Sequence, residues 1–316
     1  MPSAASSPRI AVVVTTAGRA RPVERLLASL AAQTRAPSAV VVADQGMSRE
    51  ARDVIEEYAE RLPVRVVEVT GGVSVARNAA LRALGVLRGG QRTSGLGLLE
   101  TLLSGTDGRA QAEGAHGGVL TRPSPPGTDA SADVVVFCGE RAVYGDDTLE
   151  RAAAAFAGDA DVVCGGDGPV TQRTVWARAG AACFYGTGFL RDADGFDERL
   201  GGGGSTPWQS GAEADLLLRA LRGRRVVRHE AGIDVREPAD KADPARERHL
   251  ARGAGRVYQR HYRGFDGFRA IVVPLGAAVG YAARRRWPDA RRHLHRGVGH
   301  FEGLTGVLLP RPRIGD

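Results

Sequence analysis

Four loops that follow hydrophobic segments carry the side chains best suited to chemistry. They hold hydroxyl, carboxylate, amide and guanidinium groups, which can bind phosphates, sugars or a cation: Thr15–Arg19, Asp44–Gly46, Gly71–Asn78 and Cys138–Glu140. In open sheets of parallel strands, ligands bind outside the carboxyl ends of the strands. The sequence therefore predicts that these four loops converge on one binding crevice.

Alternating strands and helices would position these loops. Ile10–Thr15, Val40–Ala43 and Val64–Val69 are apolar runs typical of strands buried on both faces. Apolar residues at helical spacing follow each run. Pro22 suits the first turn of the first helix and Ser48 the cap of the second. This pattern predicts an α/β fold with a doubly wound, mostly parallel, Rossmann-like sheet.

The chain divides into a large domain and a tail. Residues 1–238 form the predicted α/β domain, and residues 89–131 within it are rich in Gly, Ser, Thr and Pro. We interpret this segment as a surface insertion, either a tolerated disordered loop or an acceptor-binding lid. Residues 239–316 are arginine-rich and helical in pattern, with breaks expected at Pro274 and Pro288.

The basic character of the chain belongs to its tail. The formal net charge is +7, yet residues 241–316 carry 16 Lys and Arg against 6 Asp and Glu, and the preceding residues carry 27 against 30. Such a tail can contact nucleic acid, anionic lipid or a lipid diphosphate. The chain lacks zinc-ligand pairs and basic motifs interleaved with aromatics, so nucleic acid is not an expected partner.

Cysteine usage and the apolar segments indicate the compartment. Three cysteines without metal-ligand spacing fit a reducing cytoplasm, and the first residues do not resemble a signal peptide. The longest apolar run, Ala270–Ala283, has 14 residues and is expected to be too short to span a bilayer. Because this run ends in Arg284–Arg286 and Trp287, it suits an interfacial helix. We expect a cytoplasmic protein with peripheral contact to anionic membrane.

Five sequence blocks resemble those of the family 2 glycosyltransferases, which have the GT-A fold. In chain order the blocks read VVVTTAGRARPVERLLASLAAQT, VVVADQG, GGVSVARNAAL, GFDERLGGG and GAEADLLLRAL. They extend over about residues 9–90 and 130–262. The resemblance implies an inverting transfer of a sugar from a nucleotide-diphosphate donor to a hydroxyl. The acceptor would be a glycan, a lipid-linked molecule or a small molecule.

The resemblance also implies which residues bind the nucleotide. Three residues of the first loop would lie against it: Thr15, Thr16 and Arg19. Asp44 would accept a hydrogen bond from the base, which favours uracil and a UDP-sugar, or it is instead a turn residue beside Gly46. Arg77 and Asn78 begin a helix and would meet ribose or diphosphate oxygens, unless Arg77 pairs with a surface carboxylate.

The family's metal-binding motif is altered in this chain. Members usually carry Asp-x-Asp after the fourth strand to hold Mg²⁺ or Mn²⁺, and this chain has Cys138, Gly139 and Glu140. A thiol is a poor ligand for Mg²⁺, so Glu140 would be the one surviving metal ligand. Arg236 stands where the family often has a histidine ligand. We therefore expect an enzyme with weak or absent metal dependence, or an inactive nucleotide-sugar-binding or scaffold protein.

The resemblance implies that the catalytic base is Glu213, with Asp215 as the second candidate. A carboxylate must take the proton from the acceptor hydroxyl. Ser210 and Glu213 also have the spacing of a capping box, and Asp215 has the spacing of an i,i+4 pair with Arg219. Trp208 would stack on a sugar of the acceptor or pack in the core.

Overall fold

The computed structural model describes residues 7–88, 132–238, 243–262 and 264–310. The insertion over residues 89–131 lies outside these ranges. Within them are nine strands: β1 (Ile10–Thr16), β2 (Ala39–Asp44), β3 (Val64–Glu68), β4 (Val134–Gly139), β5 (Val143–Tyr144), β6 (Val162–Gly165), β7 (Cys183–Gly186), β8 (Val227–Glu230) and β9 (Val235–Arg236).

Ten helices lie in the same described ranges. Seven belong to the sheet domain: α1 (Ala20–Ala31), α2 (Arg49–Tyr58), α3 (Val73–Ala83), α4 (Thr148–Ala155), α5 (Val175–Arg178), α6 (Thr187–Asp192) and α7 (Ala212–Arg222). Three form the tail: α8 (Pro244–His261), α9 (Phe265–Ala283) and α10 (Trp287–Thr305).

The main sheet has seven strands in the order β3-β2-β1-β4-β7-β6-β8 among the residues described. Its pairs are parallel except for the two made by β7, which runs antiparallel to β4 and β6. Strands β5 and β9 form a separate antiparallel pair. The predicted doubly wound, mostly parallel sheet is confirmed.

Strand β1 is buried on both faces, as its sequence predicts. Ala11 and Val13 contribute to the core that contains α3 and α7, whereas Ile10, Val12 and Val14 contribute to the core beneath α1 and α2. Alternate side chains of a strand point to opposite faces, so a continuous apolar run serves both cores at once.

The tail helices pack so closely that glycine is required between them. A side chain at Gly303 of α10 would collide with the backbone of α8 at Arg252 and Arg256. Beside this contact, the fully buried carboxylate of Glu302 accepts hydrogen bonds from Arg252, at 2.6 Å, and from Arg248. The predicted C-terminal helices are therefore present, and buried ion pairs join α8 to α10.

The expected break at Pro274 is wrong, because α9 continues through it. Proline cannot donate a hydrogen bond to the carbonyl four residues earlier, here that of Ala270. His300 of α10 replaces this donor, and its Nδ1 lies 2.6 Å from the Ala270 oxygen. Pro288 lies in the first turn of α10, a position that proline favours.

The helix that holds the 14-residue apolar run is longer than the run, so the expectation that this segment is too short to span a bilayer is wrong by length. Helix α9 includes Phe265–Arg269 before the apolar run and has 19 residues. By length and composition alone, α9 is the one described helix that is long and apolar enough to cross a membrane, and 17% of it is buried in the protein.

We expect Gly303→Ala to destabilise the tail by about 1–3 kcal/mol, because the added methyl group has no space against α8. Gly276→Ala is the matched control. Nothing lies within 4 Å of a methyl group added there, so it should be neutral or stabilise by up to about 1 kcal/mol. Urea unfolding and limited proteolysis of the tail measure both effects. Equal unfolding midpoints would contradict the close packing of α8 and α10.

Candidate functional site

The carboxyl ends of neighbouring strands bring the predicted loops together. In the register of the sheet, Thr16 lies beside Asp44 of β2 and Thr15 beside Gly139 of β4. The side chain of Gln45 donates to the carbonyl of Gly71, at 2.6 Å, which joins the second loop to the third. The edge formed by β1, β2 and β4 is thus one crevice with several polar walls.

Glu140 is the centre of a hydrogen-bond network in this crevice. Its carboxylate accepts from Thr16 Oγ1 at 2.5 Å, from Gly18 N at 3.3 Å and from Arg19 Nε at 2.7 Å. Burial raises the pKa of Glu140, but the hydrogen bonds from Thr16 and Arg19 outweigh burial and lower it. Gly18 has a φ of 101° and abuts the backbone of Met47, so this loop requires glycine there.

Cys138 does not lie in the crevice. Its thiol is 1% exposed and packs in the hydrophobic core beneath α1, since alternate residues of β4 face opposite cores. Burial raises the pKa of Cys138 to about 12 despite an opposing hydrogen bond with Tyr144. The expectation that Cys138 is part of a diphosphate or metal site is therefore wrong, because the side chain points away from it.

The other two residues of the predicted metal site, Glu140 and Arg236, already contact protein groups. In the described part of the chain, no group of three His, Cys, Asp or Glu side chains is placed to hold one. Glu140 already accepts three hydrogen bonds from the protein. Arg236, on β9 opposite Val143, is largely exposed and donates to Asp234 at 2.8 Å.

One carboxylate near this edge was missed in the sequence. Glu237 approaches Gly139, so that a side chain at Gly139 would lie 3.2 Å from its Oε1. Glu237 directly follows Arg236, which is a predicted site residue, and that neighbourhood was the available signal. In the structure, Arg236 ends strand β9, which pairs with β5 just beyond Glu140. Glu237 thus adds negative charge beside the end of β4.

Asp44 orders the turn that follows β2. Its Oδ1 accepts from the backbone N–H groups of Gly46, at 2.9 Å, and Met47, at 2.6 Å, and its Oδ2 accepts from Arg52 at 2.7 Å. This geometry is the turn arrangement that the sequence left open. The predicted contact of Asp44 with a base stays a prediction.

Arg77 lies under the candidate base instead of on the protein surface. The side chain is 5% exposed, and its Nη2 lies 2.6 Å from Glu213 Oε1. The guanidinium also lies over the rings of Phe196, at 5.1 Å, and Phe137, at 6.0 Å. Arg77 therefore pairs with a carboxylate, as the alternative held, but the carboxylate is the catalytic candidate Glu213. The predicted contact of Arg77 with the nucleotide stays a prediction.

Asn78 holds the GFDERLG turn in place. Its Nδ2 donates to the carbonyl of Phe196 and its Oδ1 accepts from the N–H of Phe196, both at 2.9 Å. Because both ends of the amide are used and the residue is 3% exposed, it is not available to a ribose. The predicted contact of Asn78 with the nucleotide is therefore wrong.

Glu213 stands at the start of α7, beside an open cavity. Gly211, with a φ of 89°, precedes the helix, and Ser210 donates to the carbonyl of Leu250 instead of capping α7. The capping-box alternative is therefore wrong. Burial raises the pKa of Glu213, but the charge and hydrogen bond of Arg77 outweigh burial and lower it. Glu213 is thus held as a carboxylate, the form that a general base needs.

Asp215 is fully buried and takes part in ion pairs. It accepts from Arg219 at 2.9 Å, from Arg260 at 2.9 Å and lies 2.8 Å from Nε2 of His261. The i,i+4 pair with Arg219 is confirmed. Because Asp215 has no exposed surface, it cannot reach an acceptor hydroxyl, and its candidacy as catalytic base is wrong.

Two adjoining cavities are among those that lie between the sheet domain and the tail. The smaller, of about 310 Å³, is lined by Glu213 and Ser210, and the larger measures about 830 Å³. They share three lining residues, Trp176, Arg296 and His300. The larger cavity adds aromatic and cationic walls from the tail: Tyr258, Tyr262 and Arg269. These volumes and linings suit a polar ligand with an apolar part.

Trp208 follows the core-packing alternative. It is half-buried against the core that contains α7, and the guanidinium of Arg256 lies 5.6 Å from its ring. Trp176 is the tryptophan that lines the cavities. The sequence offered little to distinguish the two, since Trp176 belongs to α5, a helix of only four residues.

Arg77→Met tests the pairing beneath Glu213. Without the guanidinium, burial dominates and the pKa of Glu213 rises, so the acid limb of the pH–rate profile should move to higher pH. A ¹³C-detected titration of the Glu213 carboxyl measures the same shift without turnover. Arg82→Met, which removes a half-exposed pair with Glu198, is the control. An unmoved Glu213 titration would contradict the pairing.

Comparisons with known proteins agree with this architecture. Residues 11–85 match the model of the family described as glycosyl transferase family 2. The chain is 39% identical over 88 residues to validoxylamine A glucosyltransferase of Streptomyces hygroscopicus subsp. limoneus. That match covers 26% of this chain and 19% of the relative, so the chain matches about a fifth of the relative's length.

Two solved structures resemble the whole fold. The mannosyltransferase PcManGT from Pyrobaculum calidifontis has a TM-score of 0.60 and 13% identity, covering 95% of this chain and 88% of that one. TarS of S. aureus, residues 1–349, has a TM-score of 0.50 and 16% identity, covering 95% and 92%. At these identities the likeness shows the fold. The resemblance noted in the sequence is confirmed to this extent: residues 11–85 match the family 2 glycosyltransferase model, and the described chain has the fold of the GT-A glycosyltransferases to which it is similar.

Proposed function

We propose that the protein transfers a sugar from a nucleotide-diphosphate donor to an acceptor hydroxyl, with Glu213 as the general base and inversion at the anomeric carbon. The observation that carries this proposal is a carboxylate beside an open cavity, held ionised by the buried guanidinium of Arg77. A base is effective when it is ionised at the working pH and within reach of the proton that it takes.

The donor would occupy the crevice at the ends of β1, β2 and β4. Support comes from the convergence of its loops and from the mannosyltransferase neighbour, whose structure contains GDP-Man and Mn²⁺. We propose a UDP-sugar as the donor. The departing diphosphate would be stabilised by protein-borne charge, with Arg19 at the crevice and Arg236 near the end of β4.

Weak or absent metal dependence belongs to this proposal. Mn²⁺ in a GT-A site neutralises the diphosphate, and Glu140 would be its ligand in this chain. The hydrogen bonds that Glu140 receives from Thr16, Gly18 and Arg19 compete with that role, and the Cys138 thiol faces the core. Arginines would therefore neutralise the negative charge of the diphosphate.

The acceptor would enter through the two joined cavities. Glu213 lines the smaller one, so a hydroxyl bound there would meet the base. The aromatic and cationic walls of the larger cavity would hold the rest of the acceptor. The acceptor classes predicted from the sequence, a glycan, a lipid-linked compound or a small molecule, stay predictions. The cytoplasmic location also stays a prediction.

Glu213→Gln should abolish catalysis while preserving donor binding. The amide has nearly the same shape but cannot accept the proton, so the transfer or donor-hydrolysis rate should fall by about 10²–10⁴-fold. Product nucleoside diphosphate is the readout, and Glu60→Gln, at an exposed position, is the control. If the parent shows no turnover and Glu213→Gln changes only stability, the inactive nucleotide-sugar-binding alternative is correct.

Isothermal titration with UDP and other nucleoside diphosphates tests the donor assignment. Each titration is run with Mn²⁺ and with EDTA. We expect equal affinity in both, because arginines would supply the positive charge. Binding only with Mn²⁺ would contradict the proposed metal independence and return Glu140 to a ligand role. No binding to any nucleotide would contradict the proposed transfer reaction.

A further inference from the structure

Helix α9 carries an exposed apolar stripe along its whole length. Residues three or four apart form one face of a helix, and six small or apolar residues follow that spacing: Phe265, Phe268, Val272, Gly276, Val279 and Ala283. Phe265 is 74% exposed, Phe268 59% and Val279 70%. With 19 residues at 1.5 Å each, α9 is about 28 Å long. The stripe is therefore a continuous surface.

The opposite face of α9 is already occupied by protein. Pro274 and Ala278 are buried, and Leu275 meets α10 at Gly297. A helix that is apolar on every side belongs inside a protein or against lipid. Among the described residues, none covers the outer stripe, and an exposed apolar patch of this kind marks an interaction surface.

Positive charge lies at the carboxyl end of the stripe and beside its amino-terminal half, and Arg286 also pairs with Asp289 of α10. Three exposed arginines follow its carboxyl end directly, Arg284, Arg285 and Arg286, and Arg269 flanks its amino-terminal half. Asp266 is the acidic residue of the same helix. Trp287, 59% exposed, comes next to the arginines. Apolar side chains, basic residues and a tryptophan at the edge form the combination that contacts anionic lipid.

We propose that α9 docks on an anionic bilayer, with its stripe in the headgroup boundary and Arg284–Arg286 on lipid phosphates. A second copy of the chain suits this surface less well, because a copy packed antiparallel would offer Arg284–Arg286 one acidic residue, Asp266, whereas an anionic bilayer offers a phosphate to each arginine. A spanning orientation would place lipid around the whole helix, whereas α10 covers one side of it. The helix therefore lies on the membrane. This proposal stands on the surface of α9 alone and does not require the transfer reaction.

Sedimentation with lipid vesicles tests the docking. Vesicles of phosphatidylcholine and phosphatidylglycerol, about two to one, should bind the full chain, whereas pure phosphatidylcholine should bind it far more weakly. Replacing Arg284, Arg285 and Arg286 with glutamine should weaken binding on the order of a hundredfold, at about fivefold for each arginine. High salt should release the protein, since exposed charges are screened.

Val279→Asp places a charge in the middle of the stripe and should abolish sedimentation. Ala28→Asp, at an exposed position of α1, adds the same charge elsewhere and should leave it intact. Unchanged thermal unfolding and unchanged UDP titration of Val279→Asp show that the sheet domain is preserved. Failure of UDP binding in the parent would then count against the proposed transfer and not against docking.

Four results would contradict the docking proposal. The first is absence of binding to the anionic vesicles, and the second is binding by Val279→Asp equal to that of the parent. The third is a lipid-free dimer that Val279→Asp converts to a monomer, which would show that another copy covers the stripe. Retention on vesicles after a high-salt wash would contradict the peripheral orientation and favour a spanning helix.

Discussion

The site depends on one buried carboxylate, Asp215. It accepts from Arg219 within α7, while Arg260 and His261 reach it from the end of α8. Arg219 also donates to the carbonyls of Ala193 and Gly195. A buried charge is costly unless it is paired on all sides, so these partners are held in one arrangement. Glu213, two residues earlier, is positioned by the same network.

The second constraint is the set of hydrogen bonds that Glu140 accepts from the first loop. Glu140 ties the first loop, through Thr16, Gly18 and Arg19, to the end of β4. A carboxylate that accepts three hydrogen bonds is ionised and immobile. The first loop is thus held against the end of β4, with Arg19 at the edge of the crevice. An arginine can hold a diphosphate through directed hydrogen bonds, as a metal does through its charge.

The sequence predicted the architecture because hydrophobic pattern is local. The buried strands and the convergence of loops at their carboxyl ends follow from runs such as Ile10–Thr15. The proposal of Glu213 as the catalytic base came from the resemblance of its helix to a family motif. The prediction for Cys138 failed because side chains of β4 point alternately into two cores. Matching the residue types to the family's motif does not show which core a given side chain enters.

Tertiary partners distant in sequence account for the other errors. Arg77 turns inward to contact Glu213, which lies 136 positions later along the chain. Asn78 turns inward to contact the Phe196 backbone, 118 positions later. Pro274 fails to break α9 because a histidine 26 positions later supplies the missing hydrogen bond. Such contacts leave no periodic trace in a single sequence.

That histidine, which lines both cavities, also has a fixed hydrogen-bonding role. Since His300 donates through Nδ1 to the Ala270 carbonyl, a neutral ring carries its lone pair on Nε2. Burial lowers the pKa of His300, which favours the neutral form. The ring can therefore accept a hydrogen bond through Nε2 but cannot give one. An O–H or N–H group that reaches Nε2 is therefore matched, whereas an ether or ester oxygen at that position finds no donor from the histidine. The proline in α9 thus fixes, through the carbonyl that it leaves free, which hydrogen-bonding role remains to His300.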